Sequence, residues 1–426
     1  MSEENKVDSS LIDTEVLADK TASLITAIMF YLVTAYGETS IITVLFLGSA
    51  TTVFLLKSKG GVEIRIEPFF VFGILMICYS GLSSIWALEP YYSNKMTRNL
   101  FVTFICCVLI YLAYSKDDDT WDLMRSIKWG GYLMMIHQIR YYGIKQLLSM
   151  LVNMTRMTEI INANTLGMFI SIGCVIEIME IAKNKRLTFS SPLLIPAILV
   201  VAATQSRKAM LVLAIGILLS FCLYTIDRRH IFRSIIIIII FICISYFLLK
   251  ILNSSPLFAG ISNRMTMLFN FIQEDEDIGH SLEARQEMIE IGWQQFLKTP
   301  ILGVGIDNAQ VVARNQTNGR ISAYLHNNYI ELLCGGGCVG FMIYYSRYLY
   351  FVLCLGRSYR IQKGDYIPCV IFLAILLAID YGFVSYFSRV TQLYLVLMFL
   401  QIRTFGRSTA GLNEIRTVNQ FRYIKA

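Results

Sequence analysis

The sequence is poor in charged residues. Only 16% of its 426 residues are Asp, Glu, Lys or Arg, whereas 55% are hydrophobic, and the mean hydropathy is +0.57. Charged residues make up about 25% of an average soluble domain. The composition therefore excludes a water-soluble globule and predicts a membrane protein.

The sequence also lacks the spacings of a disulfide framework or a zinc site. It contains ten cysteines and four histidines but no Cys-x-x-Cys pair, and eight of the cysteines lie inside long apolar runs. We therefore expect neither structural disulfides nor bound zinc.

Long apolar runs are what the chain has in abundance. A helix needs about 20 apolar residues to cross a bilayer, and about twelve runs approach or exceed this length. They predict an all-α polytopic membrane protein with about 12 transmembrane helices. The predicted spans are 21–37, 39–56, 68–87, 99–115, 128–150, 165–182, 190–206, 209–226, 234–252, 327–355, 366–385 and 387–403.

Lysine and arginine collect in alternate connections between these spans, and short basic connections stay in the cytoplasm. With twelve spans, both termini are then cytoplasmic, and the net charge of +7 reflects topology rather than nucleic-acid binding. The predicted organisation is a disordered leader (1–20), transmembrane helices 1–9 (21–252), an extracytoplasmic loop (253–326), transmembrane helices 10–12 (327–403) and a basic cytoplasmic tail (404–426).

The long extracytoplasmic loop is the natural place for function. Within it, the pattern from Ser281 to Thr299 predicts an amphipathic helix that ends before Pro300. Arg285 falls on the predicted apolar stripe, and an unpaired buried charge is costly. It can pair with the acidic run 274–277 or bind an anionic ligand. The stripe consists of Leu282, Ile289, Trp293 and Phe296.

Four further features stand out at the outer ends of the predicted spans. Arg207 lies in an outward turn, against the positive-inside bias, where it can contact lipid headgroups or an anionic substrate. Arg264 opens the large loop. Gly303 and Gly305 form either a phosphate cradle or a plain turn. His326 directly precedes the tenth span, as a helix cap or as a base at the membrane surface.

The stretch 281–340 resembles the signature region of the O-antigen ligase and O-antigen polymerase superfamily. The ligase pattern is His, then Asn, Ser or Gln, nine residues, then Gly-x-x-Gly. His326, Asn327, Gly337 and Gly340 fit it. Arg285…Trp293 followed by Pro300-Ile301-Leu302-Gly303-Val304-Gly305 is similar to a second family element. Thr204-Gln205-Ser206-Arg207 and Asn162-Ala163-Asn164 resemble two earlier turns.

The resemblance implies a GT-C-like architecture and glycan transfer from undecaprenyl pyrophosphate to a sugar hydroxyl at the outer face of the bacterial cytoplasmic membrane. The acceptor is a glycan or glycolipid, and flippase and chain-length regulator proteins are the further partners implied. On this basis His326, Arg285 and Arg207 are the predicted catalytic residues. The predicted substrate-binding residues are Arg264, Asn327, Asn164, Tyr329, Gly303 and Gly305.

No metal or other cofactor is expected, because fixed arginines can stabilise a pyrophosphate leaving group. The acidic run 274–277 is either a solvated turn or a divalent-cation site. Phe341 stands where ligases prefer Gly, Thr or Tyr, which favours a polymerase over a ligase. A transporter or lipid flippase is the alternative of another class, although its charged sites would lie near the membrane midplane. A membrane-bound O-acyltransferase is a further alternative.

Overall fold

The computed structural model describes residues 3–37, 39–58, 66–116, 120–153, 155, 157, 162–225, 280–358 and 366–404. Regular secondary structure in these residues is entirely helical. The predicted ninth span (234–252), Arg264 and the acidic run 274–277 lie outside the described residues.

We number the helices in chain order. Residues Ser191–Leu193 add one 3₁₀ turn before α7. The helices are α1 (Glu3–Tyr36), α2 (Ser40–Lys57), α3 (Pro68–Ser83), α4 (Pro90–Tyr114), α5 (Trp121–Val152), α6 (Ala163–Asn184), α7 (Leu194–Ala203), α8 (Arg207–Thr225), α9 (His280–Lys298), α10 (Ala309–Gln316), α11 (Asn328–Ser358), α12 (Ile367–Asp380) and α13 (389–404).

Six helices in the described part of the chain are long and apolar enough to cross a membrane, namely α1, α2, α4, α6, α8 and α11. Helix α3, the 3₁₀ turn with α7, and α12 are apolar but shorter. Two long helices change direction at a glycine with positive φ: α5 at Gly143 and α11 at Gly337. The chain is thus a polytopic all-α membrane protein.

Helix α1 corrects one expectation. It extends back to Glu3, so the leader predicted to be disordered is helical from that residue onward. Its polar composition made residues 1–20 look like a free tail. The continuous helix carries this segment directly into the first apolar run.

Among the six membrane-spanning helices, α6 is the most buried, because 78% of its most apolar 18-residue stretch is buried in the protein. Small residues let its neighbours approach closely, as is typical of helix pairs in membranes. A Cβ added to Gly131 of α5 would lie 3.4 Å from the Cα of Gly173 of α6. Helix α6 also packs against α8, where the Ser171 hydroxyl donates to the carbonyl of Ala209 at 2.9 Å.

One end of the helix bundle is held by buried ion pairs. Lys128 of α5 contacts Glu177 at 2.8 Å and Glu180 at 2.7 Å, both on α6. The Ser190 hydroxyl also donates to Glu177, which attaches the link between α6 and α7. We call this the Glu177 end. Lys57, Lys183 and Arg403 lie at the same end, near Tyr114, Trp121 and Tyr111.

At the opposite end lie the first residues of α6, α8, α11 and α13, together with the link between α12 and α13. Helices α9 and α10 and the turn after Pro300 also lie there. We call it the His326 end, and every predicted site residue that the structure describes is found there.

Candidate functional site

Helix α9 occupies almost the predicted range, but its buried face differs from the prediction. Met288, Ile291 and Gly292 are buried, whereas Trp293 is 40% exposed and Phe296 is half-buried. The predicted stripe was drawn through the largest apolar side chains. In the structure the buried face instead includes Gly292, where the side chains of Leu325 and Ile330 pack against the helix backbone. Arg285 is half-buried on the same side of α9.

Gly303 and Gly305 lie in the turn that follows α9, and this turn packs backbone against backbone on the kink of α11. The Val304 N–H donates to the carbonyl of Cys334 at 3.0 Å. Gly303 has φ +66°, and a Cβ there would lie 2.5 Å from the carbonyl oxygen of Gly335. The glycines therefore serve close packing in this structure. Their contact with a substrate stays a prediction.

The link between α3 and α4 covers the other side of this turn. The Tyr79 hydroxyl donates to the carbonyls of Gly336 at 2.6 Å and Leu302 at 3.1 Å. The Asn308 side chain accepts from the Glu89 N–H at 2.7 Å and donates to the Ser93 hydroxyl at 3.0 Å. These bonds fix α9, the turn and α11 to the membrane helices as one support for the site.

His326 lies in the short connection between α10 and α11, with the left-handed backbone angle φ 57°. Its ring is half-buried, and its centroid is 4.4 Å from that of Tyr324. Burial, together with the positive charges of Arg285 and Lys208, lowers the pKa of His326 from 6.5 to about 4. His326 is therefore neutral at pH 7 and free to accept a proton.

The first turn of α11 holds this histidine in place. The Asn327 side chain accepts from the Ile330 N–H at 3.1 Å and so caps the helix. The buried carboxylate of Glu331 accepts from the Leu325 N–H at 2.8 Å, directly before His326. Tyr329 donates its hydroxyl to the carbonyl of Leu377 at 2.9 Å. Both Asn327 and Tyr329 thus have structural contacts, and their substrate contacts stay predictions.

Asn328 connects α11 to the link between α12 and α13. The sequence analysis did not predict this role of Asn328. Its side-chain oxygen accepts from the N–H groups of Ser385 at 2.9 Å and Tyr386 at 3.0 Å. Its amide nitrogen donates to the Tyr345 hydroxyl at 2.9 Å. Tyr345 and Ser385 both donate to Asp380. The sequence feature that could have indicated this role is the second of the two asparagines that follow His326.

The two predicted polar turns of the first half of the chain meet at this end. The Ser206 hydroxyl donates to the side-chain oxygen of Asn164 at 2.9 Å. Gln205 has φ 50° and donates its side-chain amide to the carbonyl of Met150 at 3.2 Å. Asn164 and the turn before α8 therefore form one unit.

This unit places two cations at the start of α8. Arg207 is its first residue and is half-buried. Lys208, the next residue, lies 6.0 Å from the Phe383 ring centroid and is one of the two cations that act on His326. The structure thus brings His326, Arg285 and Lys208 together. The sequence had assigned Arg207 rather than its neighbour to this role.

The family model described as O-antigen ligase matches residues 192–345, which contain these three residues. This match supports membership of the O-antigen ligase and polymerase superfamily. No curated protein matches it.

The match to this domain supports an O-antigen ligase- or polymerase-type function in polysaccharide assembly. The domain includes α9, α10 and most of α11 but ends before Asp380 and the link that Asn328 holds. Asn164 also lies outside it. The site is therefore completed by helices on both sides of the family domain.

Proposed function

We propose that the protein transfers a glycan from undecaprenyl pyrophosphate to a sugar hydroxyl, with inversion at the anomeric carbon and without a required metal. The observation that carries this proposal is the half-buried ring of His326, whose pKa is lowered by burial and by the charges of Arg285 and Lys208. A base and a pair of positive charges are the two requirements of such a transfer.

The reaction is a single displacement. The acceptor hydroxyl oxygen attacks the anomeric carbon and forms the new C–O bond, while its proton passes to the imidazole of His326. The bond from the anomeric carbon to the pyrophosphate oxygen breaks, and the electron pair leaves with the lipid pyrophosphate. Arg285, Lys208 and Arg207 stabilise that negative charge, Arg285 with two parallel hydrogen bonds.

The depressed pKa of His326 also fits this order of events. In the free protein, burial and two cations hold the imidazole neutral. A bound pyrophosphate offsets the cations, and its negative charge raises the pKa of His326. The histidine therefore becomes a stronger base when the donor is bound.

The basic residues at the Glu177 end support an extracytoplasmic site in the cytoplasmic membrane. Lys57, Lys183 and Arg403 lie at the Glu177 end, opposite His326. Basic helix ends face the cytoplasm in bacterial membrane proteins. This orientation puts both termini in the cytoplasm and His326 at the outer surface, where lipid-linked glycans meet their acceptors.

Polymerisation is the first reaction we propose, with another lipid-linked glycan as acceptor. Ligation to a glycolipid of the cell envelope is the second candidate, because the matching family model is that of the O-antigen ligases. The chemistry at the anomeric carbon is the same in both reactions. They differ in the acceptor alone.

The test is to incubate purified full-length protein in nanodiscs with an undecaprenyl-pyrophosphate-linked repeat unit and EDTA. A ladder of products that disappears in His326→Ala supports the polymerase. Transfer that starts only when an envelope glycolipid is added supports the ligase. No transfer in either case would overturn the proposal and favour a transporter. Retention of anomeric configuration in product NMR would overturn the single displacement.

A further inference from the structure

Tyr324 lies in the connection between α10 and α11, two residues before His326. Its ring centroid is 4.4 Å from that of His326 and 6.5 Å from that of Phe387, which belongs to the link between α12 and α13. Leu325, between Tyr324 and His326, is fully buried, and its side chain packs against α9 at Gly292. The ring of Tyr324 is thus fixed on two sides and borders the proposed base.

The hydroxyl of Tyr324 differs from those of other tyrosines at the His326 end. Tyr79 and Tyr329 each donate to a backbone carbonyl. Tyr345 donates to the carboxylate of Asp380 at 2.9 Å. Among the residues that the structure describes, none forms a hydrogen bond with the Tyr324 hydroxyl. The side chain is half-buried and its oxygen is not enclosed, so a ligand can reach it.

Tyr324 keeps its proton at neutral pH. Burial raises the pKa of its phenol, the positive charge of Arg285 opposes this shift, and the negative charge of Glu331 adds to it. The phenol is therefore a hydrogen-bond donor. The charge of Arg285 acts on the rings of both Tyr324 and His326. An anion bound by Arg285 would thus lie close to the Tyr324 hydroxyl.

The groups that surround this place need acceptors. Arg285 and Lys208 carry only donors, and the phenol of Tyr324 adds another O–H. A sugar hydroxyl would bring a donor of its own into this cluster, whereas the oxygens of a pyrophosphate are acceptors. Hydrogen bonds to an ionised acceptor are also about twice as strong as bonds between neutral groups. The chemistry therefore favours a pyrophosphate oxygen as the partner of Tyr324.

We propose that Tyr324 is a further catalytic residue, whose hydroxyl donates a hydrogen bond to the pyrophosphate oxygen that leaves the anomeric carbon. This inference rests on the proposed function and deepens it. Tyr324 transfers no proton: the proton of the acceptor passes to His326, and the leaving oxygen keeps the electron pair of the broken bond. The hydrogen bond strengthens as negative charge grows on that oxygen, so it stabilises the transition state more than the bound donor.

Tyr324→Phe tests this directly, because it removes the hydroxyl and keeps the ring. We expect kcat of the full-length protein in nanodiscs to fall about 10- to 100-fold, as for a lost hydrogen bond to a charged group. Tyr91→Phe is the matched control and should transfer at the wild-type rate. Tyr91 is 63% exposed, and its ring packs on that of Tyr92. Equal rates in Tyr324→Phe and the wild type would overturn the proposal.

The pH profile distinguishes a contact with the substrate from an effect on the base. The ring that covers His326 is kept in Tyr324→Phe, so the acid limb of kcat/KM should stay at the wild-type pH. A lower rate together with a shifted acid limb would mean that the hydroxyl acts through His326. That result would overturn the assignment of Tyr324 as a catalytic residue.

Binding of undecaprenyl pyrophosphate, measured by native mass spectrometry, tests the contact without any transfer. The affinity should fall about tenfold or more in Tyr324→Phe, while undecaprenol should bind equally to the variant and the wild type. An unchanged affinity for undecaprenyl pyrophosphate would overturn the proposal, because the hydroxyl would then contact another group. If the wild type transferred no glycan but lost pyrophosphate affinity in Tyr324→Phe, the proposed function would fail and the contact would stand.

Thermal unfolding shows whether the variant is folded. Because the Tyr324 hydroxyl has no hydrogen-bond partner in the described part of the chain, its removal leaves no described group unpaired. The Tm of Tyr324→Phe should therefore match that of the wild type. A lower Tm, with equal losses of affinity for undecaprenyl pyrophosphate and undecaprenol, would show that the hydroxyl serves the fold and would overturn the proposal.

Discussion

The carboxylate of Glu331 accepts a hydrogen bond of 2.8 Å from the backbone N–H of Leu325 and so closes the turn that contains His326. Glu331 is 3% exposed. This hydrogen bond fixes the backbone from which His326 projects.

Replacing Glu331 by leucine should therefore displace His326 without removing it. A displacement of about 1 Å can cost about 100-fold in rate, so we expect kcat to fall by about that factor with a smaller change in KM. Glu331→Gln keeps an acceptor oxygen and should recover much of the rate. The measurement is steady-state transfer, with the exposed Glu290→Gln on α9 as the control. Equal rates in Glu331→Leu and the wild type would contradict this role.

His326→Ala should remove the proton acceptor and lower kcat by about 10²- to 10⁴-fold, the usual contribution of a general base. The protein should still be expressed and bind lipid, because the ring of His326 is half-buried and packs on Tyr324 alone among the described aromatic rings. His137→Gln is the control, because the His137 ring is hydrogen-bonded to the Tyr31 hydroxyl of α1. Residual activity above one tenth of the wild-type rate would exclude His326 as the base.

Arg285→Lys should impair transfer although the charge is kept, because a lysine cannot form the two parallel hydrogen bonds of a guanidinium. We expect kcat/KM to fall about tenfold or more, which corresponds to about 1.4 kcal/mol. Arg320→Lys is the matched control. Arg320 is an exposed arginine that pairs with Glu287, which lies on the same helix as Arg285. If Arg285→Lys and Arg320→Lys transferred glycan equally well, two-point phosphate recognition by Arg285 would be wrong.

Lys208→Gln should raise the pKa of His326 from about 4 towards the ordinary value of 6.5, because one of the two cations that oppose the imidazolium is removed. The neutral form is the active base, so activity is lost as pH falls through the pKa in the folded protein. The acid limb of kcat/KM should therefore move to higher pH in the variant. NMR titration of the four histidine rings, assigned with His326→Ala, measures the pKa directly.

Lys145→Gln is the control for that titration, because Lys145 is exposed on α5 and is not one of the charges that act on His326. Its histidine titration should match the wild type. A pKa of His326 that stays unchanged in Lys208→Gln would mean that Lys208 does not act on the imidazole.

Asn328→Leu should destabilise the protein, because it leaves the buried N–H groups of Ser385 and Tyr386 without acceptors. Each unpaired buried group costs about 1–3 kcal/mol, so the expected loss is about 2–6 kcal/mol. Thermal unfolding in detergent, followed by tryptophan fluorescence, measures it. The exposed Asn315→Leu on α10 serves as the control. An unchanged Tm in Asn328→Leu would show that the link does not depend on this side chain.

His326 and Arg285 could be predicted as site residues because a titratable ring after a loop and an arginine on a helix face are local patterns, and their roles stay predictions. Lys208 was given no role in the sequence analysis, because the sequence does not show which of two neighbouring cations acts on His326. Glu331 and Asn328 were missed since their partners, Leu325 and the 380–386 link, are defined only by the packing of α11 and α12.

The sequence by itself determined the class of the protein. Low charge and long apolar runs require helices whose backbone groups are all satisfied within the membrane, and alternating basic connections set the predicted orientation. Tertiary structure decided the rest. The packing of Gly303 on the kink of α11 and the hydrogen bond of Arg389 to Thr43 depend on residues far apart in the chain. Those pairings follow from three-dimensional packing, which local periodicity does not encode.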